Sequence, residues 1–491
     1  MKVYLAIDLG AGSGRIVAGV YDGSTLEIQE VHRFPNDGIE IDGCCYWNTP
    51  QLFASILEGL KKAVTKHGDS VVSIGTDTWG CDYALLDSQG DVLGGHRQYR
   101  DPWVEGMQGE LNQRMAPAQV YQDTGVMPAF YNSSLHLLAE QVKDNSCFDA
   151  ADRILFTPDL LAYWLCGVQA NERTITSTSQ LYNPIKRDWA WEVIDAIGLP
   201  RKIFKNIVSS ATVLGSLTDD VVKKTNITHD IKVVASAGHD TASAVAGLPM
   251  ERGGLWLSSG TWSIIGVESE TPVTTPEAYE AALCNEGGVN KTTRLLHNVS
   301  GLWLIQECRR YWIEQGEEIS FAELARLAEE AEPFTAFIDP NDSTFASPGD
   351  MPSKIQAFCE KTEQRKPHSK GAVLRVATES LALKYRQIVE SLEKVTGRTF
   401  DVLNAGGGGV QNEFLVQATA DAIGINVVTG PIEATSCGNI ITQMVATGDL
   451  HDITAGRKLI ATSMETKTYT PKSSGDWQEP YKRFQYLTKH Q

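Results

Sequence analysis

The chain has 491 residues, too many for one hydrophobic core and enough for two large domains. With 42% hydrophobic and 21% charged residues it reads as an ordinary globular protein, and its net charge of −18 argues against a nucleic-acid or anionic membrane partner while leaving room for a local phosphate cradle. Nine cysteines, odd in number and scattered, argue against a disulfide framework or structural zinc.

The chain enters an apolar strand at once, Val3-Tyr-Leu-Ala-Ile7, with no basic and apolar leader. No apolar run reaches membrane-spanning length, so a cytoplasmic location is expected. Asp8-Leu-Gly-Ala-Gly-Ser-Gly-Arg15 then turns into a second apolar strand, Ile16 to Val20. The spacing is G-x-G-x-G and a strand follows, so this is neither a dinucleotide fingerprint nor a Walker loop. Gly10, Gly12 and Gly14 suit positive φ and close backbone approach, which lets the turn offer N–H groups to an anion. Asp8 at the strand end is placed to face a phosphate-bound Mg²⁺. A tight turn with an Asp bonding backbone is the competing reading.

Thr49 and Pro50 read as the N-cap and first position of a helix that Gly68 ends. A buried strand over Val71 to Asp77 runs into Asp77-Thr-Trp-Gly-Cys-Asp82, polar and aromatic groups just past a strand end, where α/β sheets bind ligands. Tyr83 to Gly90 continues as a hairpin, and Arg173 to Gln180 is a Thr/Ser-rich loop or site lining. Ile231 to Ala235, then Ser-Ala-Gly-His239-Asp240-Thr241 and a small-residue run to Gly247, reads as strand, turn and helix start. There Asp240 sits where a helix dipole favours a carboxylate, as a base or as a simple cap. Gly254 to Val267 repeats the layout of the opening hairpin around Ser258-Ser-Gly-Thr261. Two such hairpins, one opening each half, suggest a duplicated fold that clasps a ligand. Helices are expected over Leu302 to Gln315, Phe321 to Ala331, Gly371 to Val395 before Gly397, Glu413 to Ile423 and Thr435 to Thr447, and Lys361 to Lys370 reads as an exposed loop. Gly406-Gly-Gly-Gly409 lies between a strand and a helix, where a flat ring can rest on bare backbone, a flexible connector being the competing reading.

Taken together, the strings Asp8-Leu-Gly-Ala11 with Ser13-Gly-Arg15, Asp77-Thr-Trp-Gly80, His239-Asp-Thr-Ala-Ser-Ala-Val245, Ser258-Ser-Gly-Thr-Trp-Ser263, Asn285-Glu-Gly-Gly288, Gly301-Leu-Trp-Leu304 and Gly430-Pro431 resemble the FGGY family of carbohydrate kinases over nearly the whole chain. The resemblance implies an α/β, two-lobed actin- and hexokinase-like (ribonuclease H-like) ATPase fold with its active site in the interlobe cleft. It implies an N-terminal lobe over 1–243 for sugar and phosphate, a C-terminal lobe over 244–452 for nucleotide, and a tail over 453–491.

Carried over residue by residue, the resemblance implies ATP and Mg²⁺, with Asp8 acting on the metal shell. Ala11, Gly12, Ser13, Gly14 and Arg15 would hold phosphates, and Thr261 would touch the terminal ones. Asn298, Gln306 and Gly408 match nucleotide contacts. Gly80, His239, Asp240 and Thr241 would bind the sugar, with Asp240 as general base. The implied substrate is a small-molecule ketose, with L-rhamnulose favoured by the Asp77-Thr-Trp-Gly80 and His239-Asp-Thr-Ala strings. L-fuculose, L-xylulose and a catalytically dead ATP-sensing scaffold are the alternatives. Two departures, Gly12 where a serine is common and Gly406 where an apolar residue is common, bear on nucleotide affinity and remove no reacting group.

Overall fold

The computed structural model describes residues 1–144 and 146–489. The chain forms two units: Met1–Arg252 with Glu268–Leu295 and Ala434–Met464, and Gly253–Val267 with Leu296–Glu433 and Glu465–Gln491.

The first unit is built on a six-stranded sheet in the order Thr212–Ser216, Lys232–Ala235, Val71–Thr78, Lys2–Leu9, Ser13–Tyr21, Leu26–Pro35. Lys2–Leu9 runs antiparallel to Ser13–Tyr21 and parallel to Val71–Thr78, which is parallel to Lys232–Ala235. Its β-branched runs are buried on both faces, as strands covered by helices require. Val3, Leu5, Ile7 and Leu9 pack with Leu52, Ile56 and Leu60 of the helix Thr49–His67. Tyr4, Ala6 and Val17 face Ala242 and Ala246 of the helix Asp240–Ala246 and Ile440, Ile441 and Met444 of the helix Ala434–Ala446. These two helices approach so closely that a Cβ on Gly438 would fall on the Ser243 carbonyl, and one on Gly247 on the Ala434 carbonyl. A separate apolar cluster, with Leu137, Leu138, Phe156, Trp189, Val193 and Ile194 at its centre, fills the region between residues 85 and 204.

The second unit repeats the strand logic. Leu255–Ser259 is antiparallel to Ser263–Ser269 and parallel to Val402–Gly406, which is parallel to Asn426–Thr429. Lys467–Tyr469 adds an antiparallel strand beyond. The long helix Lys370–Thr396 starts on a Ser369 hydroxyl that accepts from Ala372 N at 3.1 Å and ends on Gly397 at φ 67°.

Several sequence expectations are corrected. The first helix is capped by Asn48, one residue earlier than expected, whose side chain accepts from Gln51 N at 3.4 Å and leaves Pro50 inside the first turn. Gly10, Gly12 and Gly14 all lack positive φ. The first hairpin closes instead by a Gly10 N to Ser13 O hydrogen bond of 2.9 Å, and Gly14 is needed for space, because a Cβ there would strike Phe34 and Leu9. Arg173 to Gln180 is a short helix, Arg173–Thr176, and a 3₁₀ turn, Ser177–Ser179, fully buried rather than a loop. The helix Met351–Lys361 has no counterpart in the expected elements. Residues after 453 form the helices Ile453–Ser463 and Gln478–Lys489.

Candidate active site

The first strand pair places Asp8 opposite Arg15 on one side and Asp77 on the other. Arg15 Nη2 donates to Asp8 Oδ2 at 2.7 Å, and the Ser436 hydroxyl donates to the same oxygen at 2.7 Å. Asp8 Oδ1 accepts no hydrogen bond among the described residues. Asp77 is wholly buried, with Asn439 Nδ2 donating to its Oδ2 at 2.5 Å. Burial and the neighbouring Asp8 push its carboxyl well above the usual carboxylate range. The turn beyond Asp8 is pinned by Asn36, which donates from Nδ2 to Gly10 O at 2.9 Å and from its backbone N to Gly12 O at 3.3 Å. Ala11 and Gly12 stand exposed at its tip, and a Cβ on Gly12 would meet nothing within 4 Å.

The strand Val71–Thr78 leads into Gly80. Thr78 N donates to Gly238 O at 2.9 Å, which brings the Gly80 turn beside His239. Gly80 packs on Thr178, and Cys81, at φ 75°, donates its N–H to the Thr178 hydroxyl at 3.0 Å. Behind it the indoles of Trp47 and Trp79 donate to Asp82 Oδ2 at 2.5 and 2.7 Å, their rings 4.3 Å apart. Burial pushes Asp82 up to about 7 against the two indole bonds. An acid whose folded pKa is raised favours the folded state most at low pH, and that contribution is lost as pH climbs from about 4 to about 7. Asp82→Asn is therefore expected to compare better with the parent at pH 8 than at pH 5 in thermal midpoint. An equal difference at both pH values would mean Asp82 does not titrate in this window.

Glu172 organises the polar segment that the sequence shows only as a Thr/Ser cluster. Its Oε2 accepts from Thr174 N at 2.8 Å, Thr174 Oγ1 at 2.5 Å, Ile175 N at 3.2 Å and Gly238 N at 3.1 Å, and its Oε1 accepts from Ser210 Oγ at 2.6 Å. Thr174 in turn takes the His239 N–H at 3.2 Å. The backbone at Gly238 and His239 is thus fixed from a buried carboxylate that no local pattern reveals.

Asp240 opens its helix with one third of its side-chain surface exposed. Its Oδ1 accepts from Thr241 N at 2.5 Å and Thr241 Oγ1 at 3.0 Å and lies 3.3 Å from His239 Nε2. Its Oδ2 has no donor among the described residues. Burial raises the Asp240 pKa, while His239 and the Thr241 bonds oppose the shift. The helix dipole alone would have predicted the opposite direction. At the far end of this helix Arg457 donates to Val245 O at 3.1 Å and pairs with Glu268 at 3.1 Å, both side chains buried.

The remaining expected residues lie in the second unit, around its own hairpin. Leu302 N donates to Gly260 O at 3.1 Å and Trp303 N to Thr261 O at 3.0 Å, so the turn bearing Thr261 is held on the start of the helix Trp303–Glu314 that carries Gln306. The glycine loop folds over the same place. Gly407, at φ 90°, and Gly409 leave no room for a Cβ against Ser259, whereas Gly408 is open on all sides. The Asn298 carbonyl accepts from Asn341 Nδ2 at 3.0 Å. Tyr385 Oη donates to Ser263 Oγ at 2.7 Å beneath the hairpin. The structure thus gathers Asp8, Ala11 to Arg15, Gly80 and His239 to Thr241 in one unit, and Thr261, Gln306 and Gly408 in the other. Glu172, Glu286 and Arg294 join the first set without having been expected there.

Residues 3–247 match the N-terminal domain, and residues 255–447 the C-terminal domain, of the FGGY family of carbohydrate kinases. The chain is 41% identical over 482 residues to the rhamnulokinase of Bacteroides thetaiotaomicron, covering 98% of each chain. It is 37% identical over 471 residues to that of Bacillus subtilis, covering 96% of each. Among solved structures it is similar to a gluconate kinase from Lactobacillus acidophilus, with a TM-score of 0.83 at 17% identity over 99% of this chain and 98% of that one. A Plasmodium falciparum glycerol kinase with ADP gives a TM-score of 0.80 at 17% identity, over 100% of this chain and 97% of the other.

Proposed function

The chain belongs to the FGGY family of carbohydrate kinases, and from that premise we propose that it transfers the γ-phosphoryl group of ATP to the 1-hydroxyl of L-rhamnulose, giving L-rhamnulose 1-phosphate and ADP. The observation that carries the choice of sugar is the near full-length likeness to rhamnulokinases, 41% identical to one of them. Asp240 is the base. Its Oδ1 is held by Thr241, which leaves Oδ2 to take the proton of the sugar hydroxyl as that oxygen bonds to phosphorus and the bond to the ADP oxygen breaks. A carboxylate raised by burial is the better proton acceptor. The Gly80 backbone, His239 and Thr241 are read as the partners of the sugar.

In the first unit the turn Ala11 to Arg15 is read as the phosphate loop. In the second, Thr261, Asn298, Gln306 and Gly408 are read as nucleotide contacts. No group of three or more ligating side chains suited to a metal occurs among the described residues. That fits Mg²⁺ carried largely by phosphate oxygens and water, with the open Oδ1 of Asp8 as its protein partner. When bound, the ion neutralises phosphate charge. No helix among the described residues is long and apolar enough to cross a membrane, and a cytoplasmic location belongs to the same proposal.

ADP release from the purified protein, measured with a panel of ketoses, tests the reading. L-rhamnulose is expected to give the highest kcat/KM, with glycerol nearly inert and other ketoses lower by about 10²-fold or more, because a hydrogen-bonding pocket leaves polar groups unpaired when a hydroxyl is missing or inverted. Equal turnover of L-fuculose or L-xylulose would remove the narrower substrate and keep the family. No ADP release with any sugar of the panel would favour the catalytically dead scaffold.

A further inference from the structure

The Asn285-Glu-Gly-Gly288 string has no part in the reaction as read above. Resting on the assignment of Asp240 as base, we propose that Glu286 and Arg294 are positioning residues that fix the ring of His239 and through it aim Asp240.

Glu286 lies on the buried strand Cys284–Gly287 with its side chain 10% exposed, and the Arg294 side chain is wholly inaccessible, so Arg294 cannot touch a sugar directly. Arg294 Nη2 is 2.9 Å from Glu286 Oε2 and 3.0 Å from His239 Nδ1, and its Nε donates to Gly287 O at 3.0 Å. His239 Nδ1 is also 3.2 Å from Glu286 Oε2, and Nε2 faces Asp240 Oδ1 at 3.3 Å. These three charged groups are the ones that face the imidazole, whose backbone N–H is spent on Thr174.

A guanidinium can only donate. With one Nη2 proton on Glu286 and the other toward Nδ1, the imidazole accepts at Nδ1 and carries its proton on Nε2, toward Asp240. Glu286 holds the guanidinium in that attitude and balances its buried charge. Arg294 Nη1 has no acceptor among the described residues. The N–H groups of the fork that are used, Nε and Nη2, reach Gly287, Glu286 and His239. The outcome is a carboxylate whose Oδ1 takes two Thr241 donors with the His239 ring 3.3 Å away, and whose Oδ2 is bare.

A simple structural ion pair would act without His239, and a double-mutant cycle separates the two roles. Glu286→Gln is expected to lower kcat roughly 10- to 100-fold, the scale on which partners behind a directly acting group matter, with the KM for ATP little changed. In a His239→Gln background the same change should cost less than about twofold, because its route of action is already gone. Arg294→Lys, which keeps the charge but not the fork, should behave alike, and it carries the cycle if Glu286→Gln lowers the thermal midpoint. The same loss in both backgrounds, or full activity of both single variants, would overturn the inference. Near-normal turnover in Asp240→Asn would instead overturn the base on which it rests. An inactive Asp240→Asn beside a fully active Glu286→Gln removes the positioning role alone.

Discussion

Asp240→Asn is expected to lower kcat by roughly 10²–10⁴ while leaving nucleotide affinity nearly unchanged. Asparagine keeps the size of the side chain and can still accept the Thr241 N–H and O–H at one oxygen. What it lacks is a second oxygen able to take a proton, and that oxygen is the one without a donor in this structure. Asparagine caps a helix nearly as well as aspartate, so a residue that only started its helix would tolerate the change. Steady-state kinetics with L-rhamnulose, together with equilibrium binding of ADP, check both halves, and near-normal turnover would end the proposed mechanism. Asp8→Asn makes the useful contrast. It should shift the Mg²⁺ requirement, because Asp8 lies beside Arg15 at the turn proposed to hold the phosphates.

Gly438→Ala is expected to lower stability by about 3 kcal/mol or more, against the gain of about 1 kcal/mol that alanine brings to a helix interior. Gly438 sits within the helix Ala434–Ala446, and a Cβ there would overlap the backbone carbonyl of Ser243 on the helix that Asp240 opens. Backbone cannot rotate aside as a side chain can, so the two helices must part and the apolar layer of Ala242, Ile440, Ile441 and Met444 opens with them. Gly109, inside the helix Met107–Arg114 with nothing within 4 Å of where a Cβ would sit, is the internal control. There the same substitution should stabilise by about 0.5–1 kcal/mol. Urea midpoints of the two variants should move in opposite directions, and a shift of the same sign and size would show that helix propensity, not contact, governs both.

Local pattern carried the hairpins, the strand that ends at Asp77, Asp240 at the head of its helix, and the long helix down to Gly397, because each is set by residues close in sequence. The kinase fold and its family followed from several such strings taken together. What stayed hidden depends on partners far along the chain. Glu172 is one acid among threonines until Gly238, some sixty-six residues away, donates to it at 3.1 Å. Arg294 carries no local signal, because its role depends on His239 and Glu286 closing around it. The opening glycines misled for a related reason: the tight spot at Gly14 is made by Phe34, from the next strand, and not by the backbone angle of the turn. The helix dipole favours an ionised Asp240, but the sign of its shift is decided by the protein packed around it.

The helix Ala434–Ala446 supplies Ser436 to Asp8, Asn439 to Asp77 and Gln443 to Ser73 and the Leu5 carbonyl, and so completes a sheet whose first strand begins at Lys2. During synthesis that order has a cost in time. Once Arg252 has been joined, all six strands of the first sheet exist, yet the helix that covers one face begins only at Ala434. At translation rates of about 5–20 residues per second, the ribosome needs on the order of ten to forty seconds to bridge that interval. Throughout it Tyr4, Ala6 and Val17 lack the cover of Ile440, Ile441 and Met444. The newborn N-terminal half thus waits, with one apolar side still open, for a piece of itself that has not yet been made.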